Sequence, residues 1–351
     1  MIINQLLWQG ACKLKESFVH LFNQMEGKTL LVGGGSGFIG SMLIGTLLCN
    51  VENLKIIVFS RNRKKALERF EYLGVLREDL IIIENFWECS YSVDYVINCA
   101  SPTQSQYFAD YPVETIDSIY QCTKDLLEFA IKNRSKKFIF LSTMEVYGES
   151  EKKYVCEEDL GVLCVSNPRN SYPAAKLLCE HLVMAYGMQY SFDICILRLS
   201  QVIGACVSRD DERVYMAFLK EALEKGSITL LTAGETKRNY IDIFDSISGI
   251  LFGLLDSNSK SVYNLANPNI FISVLELAKE IAREVSVQRN VEILIQYDKN
   301  RDTRAFLPFF ERGLDTSKIE ALGWRAIFGI RERIRSMSMG VSCLVDTHKE
   351  N

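Results

Sequence analysis

Histidine is scarce in this 351-residue chain: His20, His181 and His348 are the only three, and they lie far apart. The eleven cysteines are scattered, with no Cys-x-x-Cys pair among them. A zinc site draws on clustered Cys and His ligands, so no metal is expected. An odd number of dispersed thiols fits a reducing compartment better than a disulfide framework, which points to the cytoplasm. Positive charge is also short. Forty Lys and Arg against 44 Asp and Glu leave a net charge of −4, with a pI near 5.7. No basic stripe is available to neutralise nucleic-acid phosphates, and no lysine-rich run to hold an anionic membrane. Neither nucleic acid nor membrane is expected as a partner.

Long apolar runs are missing with one exception. Thr29 to Cys49 carries no charge over 21 residues, enough to cross a bilayer. Six of those residues are glycine, four of them between Gly33 and Gly37, and each costs a helix about 1 kcal/mol. A strand, a glycine turn and a buried helix account for the same stretch. The N-terminus lacks the order of a signal peptide: Lys13 and Lys15 follow its apolar stretch, and no Ala-x-Ala site appears.

What is present is ordinary globular material, 48% hydrophobic and 24% charged, ample for a large core. Residues 1–26 read as an amphipathic helical extension, with Leu6, Leu7, Leu14, Phe18, Leu21 and Phe22 at near-helical spacing. From Lys28 a β/α alternation begins. Thr29–Val32, Lys55–Phe59, Leu80–Ile83, Tyr95–Asn98, Lys137–Leu141 and Asp193–Leu197 read as strands. Phe38–Cys49, Arg63–Leu73, Val113–Lys132 and Ser171–Tyr186 read as helices. Short apolar strands separated by helices predict a parallel sheet covered on both faces. The expected fold is α/β: a Rossmann-type doubly wound sheet over 27–204, then a smaller C-terminal α/β substrate lobe over 205–339. The chain is expected to cross between the lobes. In the second lobe, helices over Val214–Lys225 and Val274–Val285 alternate with strands at Thr229–Leu231 and Val291–Ile295. Residues 340–351 read as a loosely held tail.

Val32-Gly33-Gly34-Gly35-Ser36-Gly37-Phe38-Ile39-Gly40 follows the first strand and opens the first helix. An early glycine permits the tight turn, a middle one lets a pyrophosphate approach the backbone, and the last lets helix pack on strand. The helix N-terminus adds free N–H groups and a positive dipole end. Gly34, Gly37, Phe38, Ile39 and Gly40 are therefore candidate dinucleotide contacts. The second strand ends in Ser60-Arg61, where an NAD site usually has an acid for the ribose 2′-hydroxyl. An arginine suits a 2′-phosphate instead, so NADP is favoured over NAD.

Tyr172-Pro173-Ala174-Ala175-Lys176 sets Tyr and Lys four apart, on one helix face. An ammonium near a phenol stabilises the phenolate. Such a tyrosine can take a hydroxyl proton as hydride leaves the same carbon for nicotinamide. Upstream, Ser142-Thr143-Met144-Glu145 sits at a strand end, where open α/β sheets bind ligands. Thr143 can donate to the reacting oxygen, and Glu145 is a second possible acid/base.

These pieces together resemble the extended short-chain dehydrogenase/reductase family, in its nucleotide-sugar epimerase/dehydratase/decarboxylase branch. The resemblance spans about residues 28–335. It rests on the glycine run, Asn98-Cys99-Ala100-Ser101, Ser142-Thr143-x-Glu145-Val146-Tyr147-Gly148 and Asn167-Pro168-Arg169-x-x-Tyr172-x-x-x-Lys176. Further on it rests on Arg198-x-x-x-x-x-Gly204, Arg238-Asn239-Tyr240-Ile241-Asp242, Tyr263-Asn264-Leu265-Ala266-Asn267 and Leu322-Gly323-Trp324. The resemblance implies catalysis by Thr143, Tyr172 and Lys176, with Glu145 beside them. It implies Ala100, Ser142, Tyr172 and Lys176 along the cofactor. It places Thr143, Gln201, Arg213 and Arg238 about the nucleotide-sugar, with Arg238 on its diphosphate. It also implies a homodimer through the helices near 113–132 and 171–186.

The implied reaction begins with oxidation at sugar C4 and continues as decarboxylation, epimerisation or dehydration. An NADPH-dependent 4-keto-sugar reductase is the alternative enzyme, and a non-catalytic NADP-binding sensor or scaffold the alternative of another class. Family dehydratases carry Asp where Met144 stands, and decarboxylases carry Thr-Ser-Glu there. Gln201 and Ala205 replace a common Asn and Pro, and Asn85-Phe86 a common adenine-side Asp.

Overall fold

The computed structural model describes residues 2–206, 211, 213–298 and 311–346. Two helices, α1 (Ile2–Ser17) and α2 (Val19–Asn23), precede the alternation. It runs β1 (Thr29–Gly33), α3 (Phe38–Asn50), β2 (Lys55–Phe59), α4 (Arg63–Leu73), β3 (Leu80–Ile83), β4 (Tyr95–Asn98), α5 (Ser105–Asp110) and α6 (Pro112–Asn133). Next come β5 (Lys137–Thr143), β6 (Tyr154–Val155), α7 (Ser171–Gln189), β7 (Asp193–Leu199), β8 (Gln201–Ile203), α8 (Val214–Lys225), β9 (Ser227–Leu230) and β10 (Lys237–Asp242). The chain ends with α9 (Ile243–Leu255), β11 (Lys260–Leu265), β12 (Phe271–Ser273), α10 (Val274–Arg289), β13 (Leu294–Tyr297), β14 (Glu311–Leu314), α11 (Ser317–Glu320) and α12 (Ile330–Asp346).

Seven parallel strands form the main sheet in the order β11-β7-β5-β4-β1-β2-β3. The chain leaves β1 toward β2 and β3, then returns to lay β4 on the other side. That reversal opens a crevice at the carboxyl ends of β1 and β4, where doubly wound sheets take their ligands. Gly33 and Asn98, the last residues of those strands, pair in register at its base. The seventh strand, β11, comes from beyond residue 204, so the boundary read from sequence is crossed by the chain. A smaller sheet, β12-β10-β14-β6 with β8 on β10, spans both parts. β13 and β9 pair separately.

The N-terminal extension is part of the core. Helix α3 is apolar nearly all round and almost wholly buried, which demands cover on both sides. The main sheet covers one side. On the other, α1 buries Leu6, Leu7, Ala11 and Leu14. Leu7 lies so close to α3 that a Cβ on Gly45 would sit 2.9 Å from it. Gly10 lets α1 cross the Phe244 ring of α9, 2.0 Å from where its Cβ would be. Phe18, with φ −139° and ψ 46°, breaks the helix before α2. Lys13 reaches α12 through Glu332 at 2.9 Å. The segment from 340, read as a loose tail, instead continues α12 to Asp346, with Val341 buried. Residues 347–351 lie outside the described residues.

Candidate active site

The glycine loop has three different constraints. Gly34 has φ +71°, and a Cβ there would meet the Ala100 Cα and N at 2.6 Å. Gly40 would place a Cβ 2.5 Å from the Gly34 carbonyl oxygen and 2.8 Å from the Gly35 Cα. Both are fixed by backbone packing. A Cβ on Gly37 would meet only the Gly34 oxygen, at 3.2 Å. Its other side is open. Gly37 is also the N-cap of α3 and has no side chain to cap the first N–H groups. An open concavity over unsatisfied helix N–H groups fits a pyrophosphate, so the residues present suit a bound dinucleotide. Phe38 and Ile39 open α3 directly behind it.

Around this loop the strand ends close in. Asn98 accepts from the Ala100 N–H and donates to Thr123 Oγ1, each at 3.0 Å, which fixes the turn after β4. Ser60 follows β2 directly, with its Oγ 3.5 Å from Ser36 Oγ, and donates to the Asn62 carbonyl at 3.1 Å. Arg61 is exposed at the rim, near enough to α6 for its charge to act on the Cys122 thiol.

Tyr172 and Lys176 lie one turn apart at the start of α7. The Tyr172 ring stacks on Phe108 of α5, with centroids 4.4 Å apart and planes within 3°. Burial pushes the phenol well above its usual pKa, and Glu145 adds to the rise. The hydroxyls of Thr143 and Ser101 and the charge of Arg169 pull it back. Lys176 is fully buried, donates to the Leu141 carbonyl at 2.8 Å and sits 4.8 Å over the Phe140 ring. Burial lowers its pKa to about 8. The sequence led to a phenol held down by this ammonium. In the structure burial is the largest influence on the phenol, and the ammonium is turned to the Leu141 oxygen.

Glu145 is held in an ion pair. Arg169 grips it with both ends of the guanidinium, at 2.6 and 3.1 Å. Ser142, expected along the cofactor, turns its hydroxyl inward to Glu180 at 2.5 Å. Glu180 in turn is held by Arg198 at 2.7 Å. This buried pair ties α7 to β7.

A cleft of about 480 Å³ opens beside these groups, ample for a small ligand. Its wall includes Met144, Glu145, Pro173, Arg238 and Arg312. Arg238 and Arg312 stand opposite each other in register on β10 and β14, and Arg312 also donates to the Gly148 carbonyl. Of the other expected substrate contacts, Gln201 pairs with Tyr240 at the start of β8. Arg213 is bonded to Asp211 at 2.6 Å and lies 4.7 Å over the Phe38 ring. It faces the glycine loop rather than the described wall of the cleft.

Sequence reasoning missed Arg169, Arg312, Phe108 and Ser101 as site residues. Arg169 and Ser101 stood inside recognised motifs without a role. Arg312 joins the site only through the pairing of β14, 164 residues from Gly148. Among the described residues no cluster of three His, Cys, Asp or Glu side chains could hold a metal. No helix among them is long and apolar enough to cross a membrane.

Comparison with known proteins gives a consistent picture. Residues 30–266 match the model of the NAD dependent epimerase/dehydratase family. UDP-glucuronic acid decarboxylases 3 and 6 of Arabidopsis thaliana are 28% and 29% identical over 311 residues, covering 88% of this chain and 87% of theirs. Among solved structures, UDP-glucose 4-epimerase from Thermotoga maritima superposes with a TM-score of 0.75 at 22% identity, over 90% of this chain and 99% of its own. UDP-N-acetylglucosamine 4-epimerase from Methanobrevibacter ruminantium gives 0.77 at 20% identity, over 91% and 100%. At these identities the solved structures speak to the fold alone.

Proposed function

The chain belongs to the NAD dependent epimerase/dehydratase family, and from that premise we propose that it oxidises C4 of a nucleotide-sugar through Tyr172 and decarboxylates a sugar carrying a C6 carboxylate. One observation carries the reading. Thr143 hydrogen-bonds the Tyr172 phenol beside a cleft that holds two in-register arginines, Arg238 and Arg312, and has Met144 where a dehydratase places an acid. The paired cations suit a diphosphate. Tyr172 takes the C4 hydroxyl proton, and Thr143 holds the same oxygen. Bound nicotinamide supplies the hydride acceptor. A C4 ketone lies β to the C6 carboxylate, so the electrons left by departing carbon dioxide pass into the ketone as an enolate; a proton taken up at C5, then return of the hydride to C4 and of the Tyr172 proton to its oxygen, would leave a UDP-pentose. That step needs no acid at a C6 oxygen, which suits buried, uncharged Met144 and an ion-paired Glu145. The similarity to UDP-glucuronic acid decarboxylases supports the same choice.

Ser60 and exposed Arg61 favour NADP over NAD, since no acid ends β2 to meet a ribose hydroxyl. The same feature favours a second reading, an NADPH-dependent 4-keto-sugar reductase. The ten cysteines whose side chains are described are all free, which supports a cytoplasmic site. Apolar Val113, Ile116 and Leu178, exposed on α6 and α7, support a homodimer through these helices. The test is turnover of UDP-, dTDP-, CDP- and GDP-sugars with NAD and with NADP, products read by mass spectrometry. Tyr172→Phe should cost about 10²–10⁴-fold. No turnover across the panel refutes the catalytic reading.

A further inference from the structure

We propose that Arg169 is a positioning residue: it pins Glu145 as an immobile carboxylate and shields the Tyr172 phenol from that charge. The inference rests on Tyr172 acting as the base in the reaction above.

Three segments meet at this guanidinium. Arg169 stands in a short 3-10 turn, Pro168–Asn170, whose cap is the Asn167 side chain accepting from the Arg169 N–H at 3.1 Å. The turn leads straight into α7 and so sets Arg169 one turn ahead of Tyr172. From there both guanidinium nitrogens reach Glu145, which lies in the turn after β5. One of them also reaches Ser105 Oγ of α5 at 3.5 Å. The guanidinium sits 5.3 Å from the Phe108 centroid, and the same ring stacks on Tyr172. Arg169 is buried and Glu145 largely so, with side-chain exposures of 5% and 14%.

The charge arrangement follows from this geometry. Glu145 opposes ionisation of Tyr172 and Arg169 favours it. The other groups facing the phenol are the hydroxyls of Thr143 and Ser101, with Phe108 from α5 and Lys176 one turn along its own helix. A buried carboxylate that lost its cation would press its full charge on the phenol as it gives up a proton. It would also be free to rotate toward the cleft that it lines, where it would repel an anionic sugar. Bidentate pairing removes both effects, because the fork fixes the carboxylate plane as well as its charge.

The experiment compares the acid limb of the kcat/KM pH profile in wild type, Arg169→Gln, Arg169→Lys, Glu145→Gln and the Glu145→Gln/Arg169→Gln double variant. Arg169→Gln should raise the limb by about one pH unit, a tenfold loss at neutral pH. Glu145→Gln should lower it. The double variant should return it near wild type, and Arg169→Lys should lie between wild type and Arg169→Gln. Losses in kcat without movement of the limb, or limbs that move the same way in both single variants, overturn the proposal. Where Arg169→Gln does not fold, Arg169→Lys and Glu145→Gln decide: limbs displaced in opposite directions support the proposal, and a limb unmoved in both overturns it. The ultraviolet absorbance of the Tyr172 phenolate, isolated as the difference from Tyr172→Phe with cofactor bound, reads the same shifts without turnover. An inactive wild type therefore counts against the proposed reaction, and unmoved phenolate titrations count against the role of Arg169.

Discussion

Alanine at Gly37 and at Gly40, tested one at a time, separates ligand contact from packing in the glycine loop. A methyl on Gly40 would meet the Gly34 oxygen at 2.5 Å and the Gly35 Cα at 2.8 Å. Both obstacles are backbone, so the loop and α3 must move apart. Such overpacking costs about 1–3 kcal/mol, or a fall in Tm of several degrees, on the order of 5 °C. A methyl on Gly37 meets only the Gly34 oxygen at 3.2 Å, which a small adjustment relieves. At an N-cap the change costs under about 1 kcal/mol. Yet that methyl projects over the open N–H groups of α3, where a pyrophosphate must come close. Gly37→Ala should therefore melt near wild type and bind NADP at least about tenfold more weakly, a loss of about 1.4 kcal/mol. Gly40→Ala should lose both stability and binding. Thermal melts and a fluorescence titration with the dinucleotide read the two effects separately. Wild-type affinity in Gly37→Ala refutes the placement of the pyrophosphate. A wild-type Tm in Gly40→Ala refutes the packing argument.

Three further outcomes follow from the same structure. Arg61→Ala should weaken NADP about tenfold by calorimetric titration and leave NAD little changed; equal losses would contradict a 2′-phosphate role. Leu7→Ala in α1 should cost about 2–5 kcal/mol in urea melts, since Leu7 is fully buried against α3, whereas Trp8→Ala, at 45% exposed, should cost much less. Similar costs for both would mean that the extension does not pack as described. Lys176 falls from 10.5 to about 8 through burial, so between those values the unfolded chain binds more protons here than the folded one. Stability should rise with pH across that window, the penalty of the buried charge being full below about pH 8 and relieved as pH approaches 10.5. Any stability advantage of Lys176→Met over wild type, in urea melts without cofactor, should then shrink as pH is raised through the window. A constant difference would contradict the assignment.

The parts of the site legible in sequence are those that short-range geometry determines. A strand, three spaced glycines and a helix occupy one continuous stretch, and a four-residue spacing puts Tyr172 and Lys176 on one face without knowledge of the rest. The apolar stripe of α1 was likewise visible, but not that it would cover α3, because the partner surface is itself built from distant segments. A crossing between the lobes was expected, but not that β11 would be the strand to complete the main sheet, nor that Arg312 would reach Arg238 through strand register. Glu145 could be picked out as a carboxylate near the catalytic threonine. Its grip by Arg169 depends on how the turn before α7 folds back over α5. The helical end of the chain was missed because exposed charges on α12 mask a face that packs on α1 and α10.

The most direct test of the proposed reaction uses UDP-glucuronic acid carrying a carbon label at C6, incubated with the protein and NAD or NADP. Release of labelled carbon dioxide together with a UDP-pentose, abolished by Tyr172→Phe, is the predicted result. Retention of the label in a product altered only at C4, or in unchanged substrate while the dinucleotide binds, would contradict it.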